Sequence, residues 1–236
     1  MKHFILFLLF FCGFRSFAQK QLVVDPDAEV RALSGSFKSI KVSSGINVYL
    51  SKADDEALAV SAPGENKQEI KTEIENGELH ISYSGERIRF NNRGRVNVYV
   101  AYKELEQLYA SGASEVIVAG EMELPLLNVQ LSGASTMKGA LNIGELNIRL
   151  SGASDMKITG KAKTVNIISN SASDVKDYGF VAEICNIKVS GASDVNITVT
   201  KELYADASGA SDVHFKGSAE IKEKQTSGAS SIARVE

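Results

Sequence analysis

The sequence predicts an all-β fold: a right-handed parallel β-helix with coils of about 19 residues and an irregular, partly antiparallel N-terminal cap. Two observations carry this. The tetrapeptide S-G-A-S begins at Ser111, Ser132, Ser151, Ser190, Ser208 and Ser227, and Asn170-Ser171-Ala172-Ser173 fills the one double-length gap, so the intervals are 21, 19, 19, 20, 18 and 19 residues. Between these motifs apolar residues alternate with period two, the signal of half-buried strands. A unit that recurs at this interval without helical patterning buries its apolar side only by stacking on copies of itself. Right-handedness follows from the general hand of parallel crossovers.

Residues 1–18 read as a secretory signal. Met-Lys-His precedes an apolar run from Phe4 to Phe14, and Ser16-Phe17-Ala18 supplies the small-residue cleavage site. Cys12-Gly13 follows the bulky Phe10-Phe11, where lipobox processing takes small side chains, so cleavage before Gln19 is favoured over lipidation. Residues 19–36 form a lead-in. From Phe37 to Leu105 strands alternate but the period is lost, and Ser43-Ser44-Gly45, Pro63-Gly64, Asn76-Gly77 and Asn91-Asn92-Arg93-Gly94 mark turns; Asn76-Gly77 between alternating runs predicts a hairpin. Terminal units of a solenoid are atypical because they shield the open core, so residues 37–105 are read as the cap and 106–236 as the regular rod.

Within the rod each coil reads as strand, corner, strand, return. Val165, Ile167 and Ser169, then Cys185, Ile187 and Val189, form inward columns, and Val175, Val195 and Val213 share the column of Met156. S-G-A-S is the corner. Gly112, Gly133, Gly152, Gly191, Gly209 and Gly228 supply the bend, Ala is expected to be kept because a larger side chain would not fit inside it, and the flanking Ser bond along the stack. Ser171 at the glycine place implies a permissive torsion. Asn128, Asn147, Asn166 and Asn186 form an outward ladder whose amides can bond between coils. At the far end, Ile232 and Val235 are guarded by Arg234 and Glu236 alone.

Composition excludes several function classes. Removal of residues 1–18 takes away Lys2 and Arg15 and leaves 24 basic against 29 acidic residues, a net charge of −5, which disfavours nucleic acid and anionic membranes as partners. Cys185 is then the sole cysteine, so no intrachain disulfide framework exists. No later apolar stretch is long enough to span a membrane as a helix.

Ser43-Ser44-Gly45-Ile46-Asn47-Val48, together with the S-G-A-S-D-V copies downstream, resembles the putative auto-transporter adhesin family with the head GIN domain, and Gly45-Ile46-Asn47 matches its name-giving tripeptide. The resemblance covers roughly the whole mature chain. It implies an exported bacterial protein of a kind frequent in Bacteroidetes, a β-solenoid fold and an adhesin-like role, and it carries over no site residues.

Candidate sites follow from chemistry. Asp155, Asp174, Asp194 and Asp212 stand just after the corner in four coils. Stacked carboxylates can hold calcium or act as acids in a glycan-cleaving groove; alternatively each closes its corner through an Asx bond with its charge in solvent. Glu115, Thr136 and Ser231 occupy the same place elsewhere, so the structural reading is favoured and no metal or cofactor is assigned. The corner serines lack a base: His80 and His214 fall on outward positions. Arg87, Arg89, Arg93 and Arg95 make the one basic patch, and Tyr83 and Tyr99 lie in the same half, so these six residues are the candidate binding surface. The resulting expectation is a non-enzymatic, exported, adhesin-like solenoid in the periplasm, on the outer-membrane surface or outside the cell, presenting a lateral surface to a cell-envelope protein or glycan. A polysaccharide-active enzyme using the Asp column and an assembly protein self-associating through its last coil stand as alternatives.

Overall fold

The computed structural model describes residues 25, 27–84 and 95–236. The expected signal segment lies outside the described residues. In chain order the strands are β1 (Glu29–Arg31), β2 (Ser39–Val42), β3 (Asn47–Lys52) and β4 (Ala57–Ser61), then a 3-10 turn (Gly64–Glu69). They continue as β5 (Ile70–Glu75), β6 (Glu78–Tyr83), β7 (Asn97–Tyr102), β8 (Gln107–Ala110), β9 (Glu115–Leu131), β10 (Thr136–Leu150) and β11 (Asp155–Ser169). The last are β12 (Asp174–Val189), β13 (Asp194–Ala207), β14 (Asp212–Lys216), β15 (Glu220–Thr226) and β16 (Ser231–Arg234).

The rod is a β-solenoid of about 7 turns. From β9 to β13 each coil is a single bent strand, paired in parallel with the coil before and after it. The expected columns hold: Leu146 faces Val165, Val165 faces Cys185 and Cys185 faces Leu203, all four fully buried. The return is not a break in the ladder. In β10 the in–out alternation slips at Gly139–Ala140 and again at Gly144–Glu145 while pairing continues, so the strand bends twice and a short side lies between two longer ones.

The corner glycines take left-handed torsions, φ +73° to +85° from Gly112 to Gly228. Ser171 takes the same torsion, φ 75°, and therefore carries the strain of a side chain there. Alanine departs from expectation. Ala113, Ala134, Ala153, Ala192, Ala210 and Ala229 are exposed, so interior fit does not explain them. The residue that enters the interior is the fourth, serine: Ser135, Ser154, Ser173, Ser193 and Ser211 are 0% exposed. Its hydroxyl closes the turn by donating to the carbonyl of the motif's first residue, as in Ser135 to Ser132 (2.8 Å), Ser154 to Ser151 (2.9 Å) and Ser193 to Ser190 (3.1 Å). A polar side chain is stable there because its proton has this partner.

The front half is a mixed sheet built on the same frame. The hairpin at Asn76-Gly77 is present, with φ 52° and 78° joining antiparallel β5 and β6. Ser43-Ser44-Gly45-Ile46 is a further corner stacked under Ser111–Ser114: Ser111 N–H donates to Val42 O and Glu115 N–H to Ile46 O. The stacking order is not the chain order. β2 lies between β6 and β8, and β3 between β7 and β9, so the β2–β3 coil is clamped between a coil made later in the chain and the rod. Antiparallel β4 and β1 continue one side beyond β7, and β5 closes the other beyond β6.

At the far end Ile232 is buried, at 5% exposure, and the Arg234 guanidinium lies 5.2 Å from the Phe215 ring centre and donates to Ala219 O. That end has more cover than Arg234 and Glu236. β15 stacks on β13, and its Glu220, Lys222, Glu223 and Lys224 put charge along the exposed strand, a device that discourages edge pairing.

Candidate functional surface

The outward side chains form straight columns at the coil spacing of about 4.8 Å. The asparagine ladder is continuous: Asn147 Nδ2 donates to Asn128 Oδ1 (3.1 Å), Asn166 to Asn147 (2.7 Å) and Asn186 to Asn166 (2.7 Å). Tyr204 follows Asn186 in register and ends it, its hydroxyl turned to Glu202 at 3.0 Å.

The Asp column is brought together in register, Asp155 beside Asp174 and Asp194 beside Asp212. Its bonds run between coils: Asp174 Oδ1 accepts the N–H of Asp194 at 3.1 Å, and Asp212 Oδ1 accepts from Ser231 Oγ at 2.6 Å. Lys176 Nζ sits 2.7 Å from Asp174 and 3.4 Å from Asp194, and its bond to the Asp174 carboxylate raises the ammonium pKa. A lysine thus occupies the space between two carboxylates that a cation would use. Among the described residues no group of three or more His, Cys, Asp and Glu is placed to hold a metal ion.

Of the predicted basic patch, Arg87, Arg89 and Arg93 lie outside the described residues. Arg95 is exposed just before β7. Here β6 ends and β7 begins at the corner edge of the rod, on the same side as Ser43–Ile46, because Ser43 N–H bonds Ile81 O and Asn47 N–H bonds Val96 O. Tyr83 is half-buried against the core. Tyr99 is 9% exposed and stacks on Tyr49 with ring centres 5.1 Å apart, and burial raises its phenol pKa. Its ring supports the sheet from outside and offers a ligand little surface. His80 Nε2 lies 3.1 Å from Glu78 and His214 is half-buried at the opposite end, in register with Asn196. The two histidines are therefore separated by the length of the rod. Cys185 is fully buried, and burial pushes its thiol pKa up.

One feature was not legible in the sequence. A trough of about 700 Å³ runs along the short side of the coils from Lys52 to Thr200, flanked by Lys161 and Lys163. The signal was diffuse: Leu124, Ile143 and Ala162 lie in three different coils, and only the register aligns them.

Comparison with known proteins agrees with this geometry. A putative adhesin from Bacteroides fragilis has the same fold, with TM-score 0.82 at 18% identity over 89% of this chain and 98% of that chain. A putative adhesin from Parabacteroides merdae gives TM-score 0.72 at 15% identity, covering 90% and 98%. A putative lipid binding protein from Parabacteroides distasonis gives 0.70 at 18%, also covering 90% and 98%. No curated protein matches the sequence. The family model described as "Putative auto-transporter adhesin, head GIN domain" matches residues 36–219, so the chain belongs to that family.

Proposed function

We propose that this chain is an exported, non-enzymatic, adhesin-like solenoid that presents its lateral surface to a cell-envelope or glycan partner. The observation that carries the proposal is the lattice of outward columns: polar side chains repeat at coil pitch on a backbone whose ladders fix their positions. Such a surface offers many equivalent weak contacts to an extended partner without ordering any segment on binding. Family membership and the adhesin descriptions of the Bacteroides and Parabacteroides relatives support the same reading. The charged groups of the first contact are Arg87, Arg89, Arg93 and Arg95, with Tyr83 in the same half of the sequence. The lipid-binding description of one relative suggests a second partner class. Here the interior is filled by Met137, Met156, Phe180 and Phe215, all at most 1% exposed, so a lipid would be held outside the coils.

The test is retention of the labelled chain on whole cells and envelope fractions. Binding that weakens in the Arg89→Ser and Arg93→Ser variants supports the proposal, and no retention on any fraction overturns it. Turnover on a glycan panel, abolished by Asp174→Ala or Asp194→Ala with the fold intact, would replace it with the enzyme reading.

A further inference from the structure

The trough along the short side is a concavity of about 700 Å³. Its depth comes from missing side chains. A β-carbon on Gly144 would lie 2.3 Å from Pro125 O, so only glycine fits between these coils, and the floor beside it is Ile143 and Ala162, 3% and 4% exposed. Six successive coils contribute, from that of β3 to that of β13, which at about 4.8 Å per coil makes a channel on the order of 25 Å long, parallel to the rod axis.

The charges are unevenly committed. Glu183 is held by Lys201 at 2.7 Å, and that bond, with the field of Lys163 adding to it, keeps its carboxyl pKa low. Lys52 Nζ donates to the main-chain oxygen of Glu123 at 3.3 Å. Lys161 and Lys163 are exposed, project from one strand on either side of Ala162, and have no ion pair among the described residues. Glu123 is the other lining carboxylate, so Lys52, Lys161 and Lys163 exceed Glu123 and Glu183 by one charge, a local positive excess in a chain of net charge −3.

We infer that this trough is a binding site for a linear, carboxylate-bearing glycan lying along the rod axis, with Lys161 and Lys163 meeting its acid groups and Asn142 and Thr200 its hydroxyls. The site rests on the adhesin-like reading and adds to it a second surface. An extended peptide is the weaker fit. Peptides that join a sheet need free backbone donors and acceptors, and β10 to β12, the middle of the trough, are paired on both sides. A polymer read through its side groups has no such need, and its sugar faces cover Leu124, Pro125 and Val181 while its carboxylates reach the lysines.

The test is calorimetric titration of the purified chain with oligogalacturonate, with neutral cello-oligosaccharide and with polyglutamate, at low and high salt. The expected result is binding to oligogalacturonate alone, weakened by salt, and lowered about tenfold or more in the Lys161→Ala/Lys163→Ala variant while its melting curve stays that of the parent. No binding to oligogalacturonate, equal binding to polyglutamate, or binding unchanged in the double variant each overturns the inference. If the parent adheres to envelope fractions but does not bind oligogalacturonate, the adhesin-like reading stands and this site falls. If the parent adheres to nothing, both fall.

Discussion

The β-carbon that Gly152 lacks would sit 2.6 Å from the carbonyl oxygen of Gly133, the same oxygen to which Ala153 N–H donates at 2.6 Å. Glycine is thus required twice at this corner, by a φ of +77° and by the approach of the coil beneath. Gly152→Ala is expected to destabilise the chain by about 2–4 kcal/mol, combining left-handed strain with overpacking. Urea unfolding that shows less than about 0.5 kcal/mol of loss would contradict this account.

Ser171 supplies the reverse experiment. Its corner bond, Ala172 N–H to Gly152 O, is 2.9 Å where the other S-G-A-S corners above it and below it show 2.6–2.7 Å, as expected if a β-carbon holds two coils slightly apart. Ser171→Gly should relieve that strain at the cost of some unfolded-chain entropy, for a net gain of about 0.5–1 kcal/mol. A shift of the urea midpoint upward with unchanged slope is the expected reading.

The asparagine ladder predicts position-dependent losses. Asn166 both donates to Asn147 and accepts from Asn186, whereas Asn186 only donates. Asn166→Ala should therefore cost about 1–2 kcal/mol and Asn186→Ala about half of that, since one broken bond leaves one partner unsatisfied rather than two. Equal costs at the two sites would show that the amides act independently.

Tyr102 fixes an alkaline limit. The residue is 1% exposed, and burial pushes its phenol from 10.0 to about 12. A raised folded-state pKa means the neutral form is favoured in the native protein, so its contribution is complete below the unfolded value near pH 10 and is lost as pH rises toward 12. The loss at the upper end is about 2–3 kcal/mol. Stability measured across this window should fall in the parent and fall less in Tyr102→Phe, and ultraviolet titration should show a late-ionising phenol that this substitution removes.

Cys185 predicts a kinetic signature. Fully buried and with its thiol pKa raised, it should react with a disulfide reagent only at the rate of global unfolding, in a Cys12→Ser background that removes the other thiol. Rapid labelling under native conditions would mean that the β12 coil opens locally.

The regular coils were readable because the corner motif and the period-two columns are short-range signals repeated many times. Met156, Val175, Val195 and Val213 face one another as the spacing required. The role of alanine was misread because sequence shows that a small residue is kept and not which way it points; the buried partner turned out to be a serine, whose hydroxyl finds its acceptor three residues back. The order of the front coils was illegible for a different reason. Which strand lies beside β2 is decided by contacts far apart in the chain, such as Ser111 with Val42, and no local pattern records them. The trough was hidden likewise, since it exists only when Leu124, Ile143 and Ala162 are brought into register.

The clamped position of the β2–β3 coil makes residues 53–106 a detour. In an uninterrupted solenoid β3 would lead directly into β8, because each already lies where the other's successor belongs. The chain instead leaves the stack, builds the end closure from β4 to β7, and rejoins where it left. Changing the length of such a detour adds only about 0.6 kcal/mol of closure entropy per doubling and leaves every coil beyond β8 in place. The lid at this end is therefore a module that can be lengthened or exchanged without disturbing the rod, which makes it the part of the molecule freest to be respecified for a new partner.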